Sequence, residues 1–87
     1  MYEEYVAKIE KLCGAKNDYV VLLKYSSKDE AIKRILENVE KLELKTGVMK
    51  NARHRGKEIR VFSTGKLIIK DAADEDEVKS ILEELLS

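Results

Sequence analysis

The segment "EIRVFSTGKLIIKD", Glu58 to Asp71, constrains the fold more than any other part of the chain. Ile59 and Val61 alternate with Glu58, Arg60 and Phe62. Beyond Ser63-Thr64-Gly65, Leu67 and Ile69 alternate with Lys66, Ile68 and Lys70. Successive side chains of a strand point to opposite faces. A period of two on both sides of a short glycine-containing turn therefore predicts two antiparallel strands with one apolar and one open face. Gly65 is the turn residue free to take a positive φ. The apolar face has to be covered, and 87 residues can close only one core, so a single domain spanning 1–87 is expected.

Helices supply the cover. Asp74, with Glu77 three residues on, predicts a capped helix start with acids in its first turn, and Val78, Ile81, Leu82, Leu85 and Leu86 form its buried stripe. Ser27 and Glu30 make a similar capping box ahead of a helix whose stripe is Ile32, Ile35, Leu36, Val39 and Leu42. Asp29/Lys33, Glu30/Arg34 and Glu37/Lys41 are acid-before-base pairs, each adding ~0.2–0.5 kcal/mol in a helix. Tyr5, Val6, Ile9, Leu12 and Cys13 recur at three- and four-residue steps and Gly14 stands where a helix would stop. A helix over roughly Tyr2 to Cys13 is expected, as an N-terminal extension over 1–14.

Between these helices, "YVVLLKY" (Tyr19 to Tyr25) is β-branched and aromatic, as a central strand would be. Gly47 interrupts Leu44, Val48 and Met49, and "NARHRG" reads as a hairpin tip, leaving the strand count between Leu42 and Arg55 open. The expected class is α+β. It is a two-layer sandwich with an antiparallel four- to five-stranded sheet, helices packed on one face, and the order α-β-α-β-β(-β)-β-α.

Charge narrows the function classes. Lys+Arg and Asp+Glu both number 17, so no whole-molecule field would draw in a polyanion. Any electrostatic partner must meet a local patch. Lys50, Arg53, Arg55, Lys57 and Arg60 face only Glu58 in their segment, while residues 71–87 carry seven acids and one lysine, so a polarised molecule is expected. Arginine forks match phosphate oxygens, and His54 lies between two of them. The charged fraction is 39% and Gln is absent, which resembles the hyperthermophile tendency, although the absence of Pro points the other way.

The longest apolar run, Tyr19 to Leu23, is far below the ~20 residues a membrane helix needs, so no membrane association is expected. One cysteine cannot form an internal disulfide and no leader pattern opens the chain, so a cytoplasmic location is expected. Cys13 lies on an apolar stripe and reads as an inert thiol, and His54 has no ligand cluster at metal spacing. In "STGK" the first glycine of a phosphate-binding loop would fall at Arg60, and Leu67 stands where Ser or Thr should follow the lysine. Neither catalytic residues, metal nor cofactor are expected, and the chain reads as a non-enzyme.

"VFSTGKLIIKDAADEDEVKSILEELL" resembles the end of one repeat of the TATA-box-binding-protein family. There a strand ending Phe-small-small-Gly-Lys is followed by an apolar strand, an acidic helix start and a long packing helix. "YVVLLKY" with its capped helix is similar to the start of such a repeat, so the resemblance covers a core over 19–86. It implies that Phe62, Thr64, Lys66 and Ile68 lie on a face that meets nucleic acid. The family's DNA-bending saddle uses two repeats and several wedge phenylalanines, whereas this chain has one repeat and Phe62 alone. Inserting into and bending a duplex costs several kcal/mol, so a lone module is expected to use one surface without bending.

The expected function is therefore a DNA- or RNA-binding module. It uses the open sheet face (Arg60, Phe62, Thr64, Lys66, Ile68, Lys70) and the basic hairpin (Lys50, Arg53, Arg55, Lys57). The alternative is a protein-interaction or self-assembly module, with a homodimer or another protein on the same face. The N-terminal helix decides between access and occlusion, because a covered Phe62 can stack on nothing.

Overall fold

In the computed structural model of the chain, residues 2–12, 17–45 and 47–86 are described. The alternating segment forms β5 (Lys57–Phe62) and β6 (Lys66–Ile69), with Ile59 opposite Ile69 and Val61 opposite Leu67. These four side chains are buried, while Arg60, Phe62 and Ile68 are half-buried and Lys66 is exposed. Gly65 closes the turn at φ 100°.

The sheet grows in both directions from this pair. On one side β5 pairs with β4 (Met49–His54) and β4 with β3 (Lys41–Lys45). On the other, β6 pairs with β2 (Tyr19–Leu23) and β2 with β1 (Val6–Lys11). The result is a six-stranded antiparallel sheet in the order β1-β2-β6-β5-β4-β3. Helices α1 (Lys28–Asn38) and α2 (Glu75–Leu86) pack together over one face, where Asn38 Nδ2 donates to the Leu85 carbonyl at 2.8 Å. The protein is an α+β two-layer domain. No helix of the described residues is long and apolar enough to cross a membrane.

Helix α2 follows from its sequence. Asp74 Oδ1 accepts from the Glu77 amide at 2.9 Å, and Glu77 Oε1 accepts from the Ala73 amide at 2.6 Å, which satisfies donors left over at the first turn. All five residues of its apolar stripe are buried against Val21, Ile59, Leu67 and Ile69, and each such side chain contributes ~1.5–3 kcal/mol. In α1, Ala31 and Ile35 are fully buried, with Ile32 and Leu36 packed beside them and Val39 just beyond the helix end.

Three local expectations are corrected. The N-terminal segment is a 3₁₀ turn, Tyr2–Glu4, followed by strand β1 rather than a helix, so the sheet has six strands instead of the four to five expected and the element order opens on a strand. The reason is a register shift between Val6 and Lys8. With that irregularity, Val6 and Ile9, three residues apart, stand opposite Leu23 and Val21 on the covered face, which imitates helical spacing. Cys13 and Gly14 lie outside the described residues. Second, Ser27 precedes α1 without a side-chain capping bond; it closes a 3₁₀ turn, Tyr25–Ser27, its amide already donating to the Lys24 carbonyl at 3.1 Å, while the Glu30 carboxylate accepts from the Tyr5 hydroxyl at 3.1 Å. α1 also ends at Asn38, so Leu42 and Lys41 belong to β3. Third, the hairpin tip is only Arg55-Gly56. Both residues have positive φ (55° and 74°), the twist that a two-residue hairpin turn needs, and Asn51 to His54 remain in β4.

Candidate nucleic-acid interface

Residues opposed across antiparallel strands share a face, so the register lays out the uncovered side of the sheet row by row. One row runs Lys8, Leu22, Lys66, Phe62, Met49. The next runs Glu10, Val20, Ile68, Arg60, Asn51. The third holds Glu58, Arg53 and Lys41, with Lys70 beside them, its amide donating to the Glu58 carbonyl at 3.0 Å. Val20, Leu22, Ile68, Phe62 and Met49 thus form an apolar strip set among cations.

The helices lie on the other side, their stripes packed with Val21, Leu23, Ile59, Val61, Leu67 and Ile69. Tyr2 and Tyr5 of the N-terminal segment join that same core, and the 3₁₀ turn meets α2. The described N-terminal segment therefore leaves Phe62 uncovered. Phe62 is half-buried within the sheet surface, with Lys66 Nζ 5.8 Å from its ring centroid.

Acids hold some of the cations on this face. Arg60 Nε donates to Glu58 Oε2 at 2.8 Å, and this bond, from a guanidinium, keeps the Glu58 carboxyl below its usual range. Arg53 donates to Glu43 Oε2 at 3.4 Å and to the Gly56 carbonyl at 3.3 Å, and Lys8 lies 3.4 Å from Glu10. Neither Lys66 nor Lys70 joins an ion pair among the described residues.

The basic hairpin is distributed differently. Lys50 stands opposite Val61, and His54 opposite Lys57, all directed to the helix side. Lys57 Nζ lies 3.6 Å from Glu77, and Arg55 Nη2 donates to Glu84 Oε2 at 2.6 Å. His54, the buried polar residue of the core region at 8% exposure, has Nε2 2.8 Å from Glu84 Oε1. An ionised carboxylate only accepts, so that nitrogen carries the proton. The Arg55 bond and then the His54 bond pull the Glu84 carboxyl below its usual range, and the same contact raises the Arg55 guanidinium. The expected polarity is thus cancelled in space, because the turn and α2 neutralise one another.

Of the residues expected at the site, Arg53, Arg60, Phe62, Lys66, Ile68 and Lys70 come together on the open face. Lys50, Arg55 and Lys57 do not, and Thr64 sits exposed in the turn at the rim. Lys8, Val20, Leu22, Met49 and Asn51 join the face without having been singled out. Alternation within "YVVLL" could have found Val20 and Leu22, since Val21 and Leu23 must share the other side. Met49 and Asn51 needed the correct strand boundary.

Two surface depressions accompany this arrangement. One of about 230 Å³, at the end of the sheet, is lined by Asp18, Arg53, Gly56, Lys57, Glu58, Lys70 and Asp71. The other, about 400 Å³ along α1, is lined by Glu30, Lys33, Arg34, Glu37 and Asn38. Both are walled by charges of both signs. Among the described residues, no group of three or more His, Cys, Asp or Glu side chains could hold a metal ion. No protein-family model, curated protein or solved structure matches this chain.

Proposed function

We propose that the chain is a non-catalytic nucleic-acid-binding module, a single repeat of the TATA-box-binding-protein type acting in the cytoplasm. The observation that carries this reading is the uncovered sheet face, where an apolar strip around Phe62 is flanked by Lys66 and Lys70, neither in an ion pair among the described residues. Lysines and arginines there would neutralise phosphates, and Phe62 would offer a ring on which a base can stack, a contact worth ~1–3 kcal/mol. The order from β2 to α2 supports the family reading: a strand, a helix, further strands, the Phe62-to-Lys66 turn, an apolar strand, an acidic start and a packing helix. Site residues on this reading are Arg53, Arg60, Phe62, Lys66, Ile68 and Lys70.

The test is a titration of ¹⁵N-labelled protein with short single- and double-stranded oligonucleotides at low and moderate salt. Shifts should fall on residues of the open face. Anisotropy should show a log-salt slope of about −2 to −3, as a few single-strand phosphate contacts give. K66A/K70A should weaken binding to every sequence and flatten that slope. Absence of shifts at low salt would sink the reading, and shifts confined to the face on self-dilution would identify a self-associating surface instead.

A further inference from the structure

Among the described strands, β1 and β3 each have a neighbour on one side only. An edge strand presents unpaired N–H and C=O groups and so offers a template to another strand. The two edges are not equivalent. The register shift of β3 falls at its centre, between Leu42 and Leu44, and its Glu43 already accepts from Arg53. That of β1 falls at its start, between Val6 and Lys8, which leaves Lys8 to Lys11 as an unbroken run opposite Leu22 to Tyr19. Lys8, Glu10 and Lys11 are exposed and Ile9 is half-buried.

The ladder fixes which backbone groups of β1 face outward. The Leu12 amide donates to the Asp18 carbonyl at 2.9 Å, and the Leu23 amide to the Gly65 carbonyl at 2.8 Å. Hydrogen-bonded and non-bonded pairs alternate along antiparallel strands, so Glu10 and Lys8 bond to Val20 and Leu22, and the N–H and C=O of Ile9 and Lys11 point to the outer edge. A second copy laid antiparallel with its Ile9 opposite this one would exchange two hydrogen bonds there. The same register sets Lys8 opposite Glu10 of the second copy, and Glu10 opposite its Lys8, as closely spaced non-bonded pairs. Centring on Lys11, the other position with outward groups, would set lysine against lysine.

Backbone and charge thus select the same register, and we infer that β1 is a homodimerisation edge, joining two copies antiparallel about Ile9. Opposed residues share a face, so the join continues both six-stranded sheets with the helices of both copies on one side and both open faces on the other. The contact is isologous and closes at two copies. It is also short, because it ends where the irregularity at Val6 to Lys8 begins, so dimer formation depends on concentration. None of this depends on the nucleic-acid reading, and the test uses the protein alone.

Sedimentation equilibrium of the full chain from micromolar to millimolar concentration should show monomer and dimer in exchange. K8E and E10K each make both cross-strand pairs repulsive and should weaken the dimer about tenfold or more, whereas K8E/E10K should restore it to within about threefold of wild type. Lys8 and Glu10 of one copy lie 3.4 Å apart, and if that contact were their whole role the four proteins would not differ in size. In hydrogen exchange the Ile9 amide should slow as concentration rises, while the Glu10 amide, bonded to β2, changes little. A wild-type protein that stays monomeric at millimolar concentration overturns the inference. So does a dimer that the single reversals leave intact or the double reversal fails to restore, and so does one whose dilution shifts fall on Phe62 and Ile68 instead of β1.

Discussion

Gly65 is where backbone and packing demands coincide. Its φ of 100° lies where a β-carbon is strained, and such a carbon would meet Lys28 Cδ at 3.2 Å and Lys28 Cβ at 3.3 Å, with Leu23 Cβ at 3.9 Å. The left-handed backbone costs about 1–2 kcal/mol for a residue with a side chain. Displacing Lys28 would also loosen its 3.3 Å bond to the Ser63 carbonyl, a net loss of about 0.5–1 kcal/mol at an exposed site. G65A should therefore lose roughly 1.5–3 kcal/mol, which for a domain of this size lowers Tm by about 6–24 °C.

Thermal and urea unfolding of G65A, K28A and the double variant separate the two contributions. K28A in the G65A background removes the Cδ contact, though not the Cβ one, and deletes the Ser63 bond already loosened, making the pair less than additive by up to about 1 kcal/mol, while the backbone part persists. G47A is the control, because nothing lies within 4 Å of its added carbon and its φ is ordinary. It should change stability by no more than about 0.5 kcal/mol. A G65A protein with wild-type Tm, or strict additivity with K28A, would refute the assignment of strain and contact at this turn.

Burial on one side only should be equally measurable. I35A removes a fully buried side chain and should cost about 2–5 kcal/mol in urea unfolding, whereas I68A on the open face should cost under about 1 kcal/mol; equal losses would mean that both faces are covered. Glu58 and Glu84 both titrate below the ordinary carboxylate value of 4.5 in the folded state. A depressed carboxyl contributes stability that is complete above its unfolded pKa and lost as pH falls through the folded one. Tm should accordingly drop on acidification below about 4.5, more gently in E58Q and E84Q, and parallel curves for all three proteins would reject the two ion pairs as the source.

The parts of the fold that the sequence displayed are those where local pattern and tertiary environment agree. Ile59, Val61, Leu67 and Ile69 alternate because one sheet face is covered, and Val78 to Leu86 repeat helically because one helix side covers it. The N-terminus misled for a geometric reason, since the register irregularity in β1 moves Val6 and Ile9 to the same face at a helix-like interval. Nothing local distinguishes that interval from a helix; only the β2 edge waiting for a partner does. The reciprocal half of the Ser27 capping pattern is lost to other partners, because the Ser27 amide donates to Lys24 in the 3₁₀ turn and the Tyr5 hydroxyl, distant in sequence, engages the Glu30 carboxylate.

The site was legible in part because alternation is a local rule, and illegible where charge was counted along the chain instead of across the sheet. Arg53 and His54 are neighbours in sequence, yet Arg53 faces outward while His54 points to α2 and meets Glu84. Each cation run on a strand is thereby split between two surfaces. The half directed at the helices meets the acids of α2, through Arg55–Glu84 and Lys57–Glu77, and contributes to docking that helix. The half directed outward is completed by residues from other strands, above all Lys66 on β6 and Lys70 just beyond it, neither of which forms an ion pair among the described residues. Charge substitutions should therefore divide by face rather than by segment. Those at Arg55 and Lys57 act on the turn and α2, and those at Lys66 and Lys70 act on whatever the open face holds.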